Sequence, residues 1–182
     1  LEFRRVLFRS IKALVEKVAV FPNNLLNEEE RREEAKRNPY SFAHVVKPRI
    51  DFPDSESKTD PALFDHAKKY FQKLLKEKIL QRDSHECFYI YRQMLNGRSQ
   101  TGVVAFYHVS EYWKGNIKKH ELTREEKEIE NVEHMMTTGI SGNPIFLAYN
   151  PVNEIDTLVN EVKATVPEYH FVSDFGVFHS MW

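Results

Sequence analysis

The chain has 182 residues, of which 41% are apolar, with 13 Phe and 8 Tyr, so it carries enough core-forming material for one domain and too much for a disordered chain. Its formal net charge is only -1, with Lys and Arg interleaved among Asp and Glu, which gives no long-range attraction to nucleic acid or to an anionic membrane. No apolar run reaches the ~20 residues of a membrane span, and the lone Cys87 leaves no internal disulfide framework and no cysteine-based zinc site, which points to a reducing cytoplasm.

The first ten residues, LEFRRVLFRS, have neither a helical nor a strand period, and their scattered arginines do not make a signal peptide. Written back into codons, they resemble the end of a sequencing-library adapter. Residues 1–10 are therefore expected to be a sequencing-adapter artefact, arbitrarily placed and without a role in the core, and 11–182 to be the natural part. Without the decapeptide's three arginines and Glu2, the net charge of Ile11 to Trp182 becomes -3.

In IKALVEKVAVFPNNLL the apolar spacing of Leu14, Val15 and Val18 predicts a short helix ended by Pro22. NEEERREEAKRN predicts a solvated helix capped by Asn27, with Glu30 closing a capping box. SFAHVVKPRIDF, rich in β-branched and aromatic residues between prolines, reads as a strand running to a turn. Asp60 and Pro61 then start a helix whose apolar stripe is Leu63, Phe64, Ala67, Phe71, Leu74, Leu75 and Ile79. The two runs around Asn96-Gly97 predict a hairpin with a type I′ turn. His85 and His108, near this ribbon, lack ligand spacing and read as ordinary surface or packing residues.

A turn at Lys114 to Asn116 and an extended piece precede a helix capped by Thr123, with Ile129, Val132, Met135 and Met136 as its apolar face. NPIFLAYN reads as a buried strand. The next helix contains Ile155, Leu158, Val159 and Val162, and two short strands flank Asp174 to Gly176. The fold class is α+β (mixed α/β): an antiparallel, hairpin-containing sheet with several flanking helices. Trp182 falls inside a strand-like run, so the domain is expected to be incomplete, cut at its C-terminus.

Nucleotide-binding glycine loops, G-x-S-x-G and H-E-x-x-H are all absent. One constellation remains, IKKHELTREEKE. Extended chain up to Glu121 followed by a helix would bring His120, Glu121 and Arg124 to a strand-to-helix corner, where free backbone N–H groups and the helix dipole favour an anion. A carboxylate there can serve as a general base, while Arg124 and Lys119 can neutralise phosphate oxygens. Against this stands the plainer reading of a capped helix with exposed charges, since Glu125 and Glu126 in the first turn would repel phosphate. His134 makes no i, i+4 pair with another histidine, so no metal site is expected.

SFAHVVKPRIDFP, FYIYRQMLNGRSQTGVV, GNIKKHELTREEKE and NPIFLAY together resemble the bacterial family of domain of unknown function 1015, in particular its Bacteroidota-type members. Complete members are about twice as long and carry an Asp-Gly-His-His-Arg motif beyond the point where this sequence stops. That basic loop is similar to the phosphate loop of the ParB, sulfiredoxin and free-serine-kinase superfamily. In the serine kinases a His-Glu pair precedes a helix and a Pro-Ile/Val strand, the order here of His120-Glu121, the helix from Arg124, and Pro144-Ile145.

The resemblance implies Glu121 as catalytic carboxylate, His120, Arg124 and Lys119 as phosphate-binding groups, and ATP or ADP with magnesium as cofactor. It implies a nucleotide-dependent kinase of a small, serine-like molecule, of which the fragment itself would be inactive; cysteine usage and charge add the expectation of a cytoplasmic setting with no nucleic-acid or membrane partner. The alternative is a non-catalytic nucleotide- or metabolite-binding regulatory module. Three departures favour it: Pro22-Asn23-Asn24-Leu25 replaces the family's Pro-Tyr-Asp-Val, Arg49 replaces a glutamate, and Glu130-Asn131 replaces an Asp-Arg pair.

Overall fold

The computed structural model describes residues 8–20, 25–53, 57–119, 122–142 and 144–182. In chain order its elements are β1 (Phe8–Ser10), a 3₁₀ turn (Lys12–Leu14) running into α1 (Val15–Val18), α2 (Glu28–Arg37), α3 (Ala43–Val46), a second 3₁₀ turn (Pro48–Asp51) and α4 (Pro61–Lys76). Then come β2 (Leu80–Arg82), β3 (Tyr89–Leu95), β4 (Arg98–Val104), α5 (Val109–Trp113), α6 (Glu125–Thr138), α7 (Asn153–Lys163), β5 (Tyr169–Val172) and β6 (Phe178–Met181). The class is mixed α+β, as the sequence pattern predicts, and the chain divides into two compact units.

One unit comprises Leu1–Glu16, Arg82–Lys118 and Phe146–Trp182 and contains a four-stranded antiparallel sheet in the order β4-β3-β6-β5. The β3-β4 hairpin turns at Asn96 (φ 50°) and Gly97 (φ 75°), the two positive φ values a type I′ turn requires. The β5-β6 hairpin closes through Gly176, also at positive φ, whose N–H donates to Ser173 O at 2.8 Å. Reciprocal bonds between Ile90 and Trp182, 3.0 and 2.9 Å, extend the β3-β6 ladder. Phe8–Ser10 form β1, in which Arg9 pairs with Asp83 and Glu168, and the Tyr169 hydroxyl donates to Ser10 O at 2.6 Å.

The other unit, Lys17–Gln81 with Lys119–Ile145, is helical apart from the start of β2. Asn27 forms the expected capping box with Glu30 at the start of α2. That helix is less solvated than its charge run suggests, because Arg31 and Ala35 are buried, and Ala35 packs with Ala43 and Ile50. Asp60 Oδ1 accepts from Ala62 N at 2.9 Å at the start of α4, and Leu63, Phe64, Ala67, Phe71 and Leu74 are buried along one stripe.

Three expected elements come out differently. SFAHVVKPRIDF is not a strand: Ser41 Oγ accepts from Ala43 N at 3.3 Å, a single α-turn follows, and Pro48 opens the 3₁₀ turn. Ala43, His44 and Val45 are all buried, so the β-branched content reflects burial and not an extended backbone. The cap of α6 is Arg124, one residue after Thr123, without a side-chain cap bond, and Ile129, Val132 and Met136 on its expected apolar face are exposed, Met136 at 79%. Pro144 to Asn150 form no strand, and Ile145 and Phe146 are exposed.

Candidate functional site

The two short turns formed by Ser41 to Asp51, in place of the expected strand, gather a polar cluster in the helical unit. In an extended strand, His44 and Asp51 would lie about 23 Å apart and on opposite faces. In the α-turn and 3₁₀ turn they meet: His44 Nδ1 lies 2.9 Å from both Asp51 oxygens. From α4, His66 Nε2 reaches Asp51 Oδ2 at 2.7 Å, and Tyr70 stacks on His44 with centroids 4.4 Å apart. The Tyr70 hydroxyl donates to Pro39 O at 2.7 Å.

The electrostatics follow from these bonds. Burial opposes the charged form of His44, yet the hydrogen bond and charge of Asp51, with backbone carbonyls at the other ring nitrogen, raise its pKa above the ordinary value. Burial likewise pushes the Asp51 carboxyl up, but hydrogen bonds and charge from His44 and His66 hold it below the usual range. His44 is thus an imidazolium-favouring site, with both ring nitrogens facing acceptors.

Lys47 lies between the two turns, before Pro48, with a non-helical backbone (φ -142°, ψ 57°), and its N–H donates to Ala43 O at 2.8 Å. Its side chain is half-buried. Burial first, then the charges of Arg31 on α2 and Lys127 on α6, lower its pKa to about 8, with Glu130 opposing. Lys127 is bonded to Glu130 at 2.6 Å and Arg31 Nη2 donates to Leu26 O at 3.2 Å.

The residues expected from the sequence to form the site stand as follows. His120 and Glu121, like Pro22, Asn23 and Asn24, lie outside the described residues. Lys119 and Arg124 are exposed on either side of the pair, and Arg124 has extended backbone at the α6 cap. Lys127, in the first turn of α6, acts electrostatically on Lys47. His134 is engaged structurally, donating from Nε2 to Val45 O at 2.7 Å and lying edge-on to Phe64. His108 caps α5, its Nδ1 accepting from Ser110 N at 3.1 Å.

Sequence reasoning missed His44, Lys47, Asp51 and His66. The signal was present in SFAHVVKPRIDF as a histidine, a lysine and an aspartate in one short block, but the strand assignment put His44 and Asp51 on opposite faces. Among the described residues no group of three or more His, Cys, Asp or Glu side chains is placed to hold a metal ion. A family model described as "Protein of unknown function (DUF1015)" matches residues 3–182. No curated protein and no solved structure matches the chain.

Proposed function

Since the chain belongs to the DUF1015 family, whose description names no activity, its function has to come from the site, and we propose that it binds a phosphate-bearing small molecule beside α6. The proposed activity is transfer of phosphate from ATP or ADP to a serine-like hydroxyl compound. What supports this reading is that the charges of Arg31 on α2 and of Lys127 in the first turn of α6 lower the Lys47 pKa, and that α6 directly follows Lys119, His120, Glu121 and Arg124 in sequence.

In the proposed reaction the substrate hydroxyl oxygen attacks the terminal phosphorus, and the bond from that phosphorus to the leaving diphosphate or monophosphate breaks. The hydroxyl proton passes to the Glu121 carboxylate. Arg124, Lys119 and His120 would offset charge on the transferred group, and magnesium would accompany the nucleotide. No helix among the described residues is long and apolar enough to cross a membrane. A cytoplasmic setting belongs to the proposal and rests on the single, exposed Cys87.

The test is nucleotide-dependent phosphorylation of free serine and related metabolites by a full-length homologue, with Glu121→Gln at the matching position. Full activity in the substituted enzyme would remove Glu121 from the reaction. The rival reading, a non-catalytic binding module, is favoured by Arg49, which stands where the family has a glutamate and approaches Glu28 at 3.5 Å. Nucleotide binding measured by calorimetry, without turnover, would select it.

A further inference from the structure

We infer that one face of the four-stranded sheet carries a ligand site built around Arg92, and that it takes a small organic monocarboxylate with a short apolar body. The site lies wholly in the sheet-containing unit and does not depend on the phosphate reading above.

The strand register places its parts. Thr101 on β4 lies opposite Arg92 on β3, Arg92 opposite Ser180 on β6, and Ser180 opposite His170 on β5, so the side chains form one polar row that crosses every strand on the same face. Arg92 Nη2 donates to Ser180 Oγ at 3.4 Å, and His170 Nδ1 lies 3.0 Å from the same oxygen. Accepting from Arg92, the buried hydroxyl can donate to His170 Nδ1, which puts the ring proton on Nε2 of this exposed histidine. The next row toward the hairpin turns is apolar, made of Met94, Phe178 and Val172, and Phe178 and Val172 are exposed. On the other side Ile90 is buried and Trp182 Nε1 donates to Thr165 O at 3.0 Å, so that end of the face is packed.

Arg92 is the member of the row whose bonding is incomplete. Its guanidinium lies over the Trp182 ring, 5.2 Å from the centroid, which holds the group in place without meeting its N–H donors. The bond to Ser180 is long, Nε is buried with no hydrogen-bond partner, and no carboxylate pairs with Arg92 among the described residues. A permanent charge with unmet donors is costly until an anion meets them. The planar fork of a guanidinium matches a carboxylate, and one guanidinium balances one negative charge, which selects a monocarboxylate over a phosphate dianion. A body of a few methylenes then falls on Met94, Phe178 and Val172 and removes their apolar surface from water.

The probe is sodium hexanoate, read by the emission of Trp182 in a Trp113→Phe background, because Trp113 on α5 is the chain's other tryptophan and is exposed. Hexanoate should change this emission saturably, whereas hexanol, which lacks the charge, and inorganic phosphate should not at matched ionic strength. Arg92→Gln should weaken hexanoate about tenfold or more, the scale of one charge-assisted hydrogen bond, and Phe178→Ala should weaken it through lost apolar contact. Melting curves report folding separately, and Phe178→Ala, at an exposed position, carries the test should Arg92→Gln not fold. No saturable response to hexanoate, an undiminished affinity in either folded variant, or phosphate or hexanol binding as tightly as hexanoate would overturn the inference.

Discussion

Both oxygens of the Asp51 carboxylate lie 2.9 Å from His44 Nδ1, inside the helical unit and seven residues away in sequence. The pair joins α3 to the 3₁₀ turn that follows it, and His66 joins the same carboxylate to α4. It is the polar counterpart of the Ala35, Ala43 and Ile50 packing beside it.

This pair makes stability pH-dependent in a defined window. His44 has a raised pKa, so its contribution is complete below the unfolded value of 6.5 and is lost as pH rises through the folded value. Asp51 has a lowered pKa, so its contribution is present above 3.8 and is lost as pH falls through the folded value. The contribution is therefore greatest between about pH 4 and 6.5. Asp51→Asn should cost about 2 kcal/mol in that window and less at pH 8, read from urea denaturation at both values. An equal cost at the two pH values would mean that packing alone couples these residues.

Lys47 gives the opposite slope. Its folded pKa, about 8, lies below the ordinary lysine value of 10.5, so the charged form is disfavoured by folding at neutral pH and stability recovers as pH rises from about 8 toward 10.5. Lys47→Met should raise stability at pH 7 by about 1 kcal/mol, after allowance for the exposed part of the side chain, and should abolish the recovery. Melting temperatures of the two proteins from pH 7 to 10 measure this, and parallel curves would show that Lys47 is ordinarily solvated.

Arg9 supplies a test in the sheet-containing unit. Asp83 is buried and accepts from both Arg9 and the Tyr89 hydroxyl, whereas Glu168, the second partner of Arg9, is only half-buried. Arg9→Gln should destabilise by about 2 kcal/mol, because it leaves a buried carboxylate with one partner fewer, while Glu168→Gln should cost only a few tenths. Chemical denaturation distinguishes the two variants. A silent Arg9→Gln would agree with the expectation that LEFRRVLFRS takes no part in the core.

Local chemistry alone located much of the fold. Asn27 with Glu30, Asp60 with Pro61, and Asn96-Gly97 each specify a cap or turn through bonds that span a few residues, so they read the same in a string of letters as in the folded chain. The family resemblance was likewise legible in contiguous blocks, and the match over residues 3–182 shows it.

Tertiary structure decided what those local signals left open. Whether Ala43 to Val46 is strand or helix depends on what surrounds it, because a four-residue apolar segment has no period of its own and takes the backbone that buries it. Once that segment turned, His44 came back to Asp51, His66 arrived from α4, and Lys47 came under the charges of Arg31 on α2 and Lys127 on α6. By itself the sequence determined which groups carry charge and where its helices and turns begin; only the three-dimensional packing determined which charges would stand together, because Coulomb and desolvation energies depend on distance and burial and not on order along the chain.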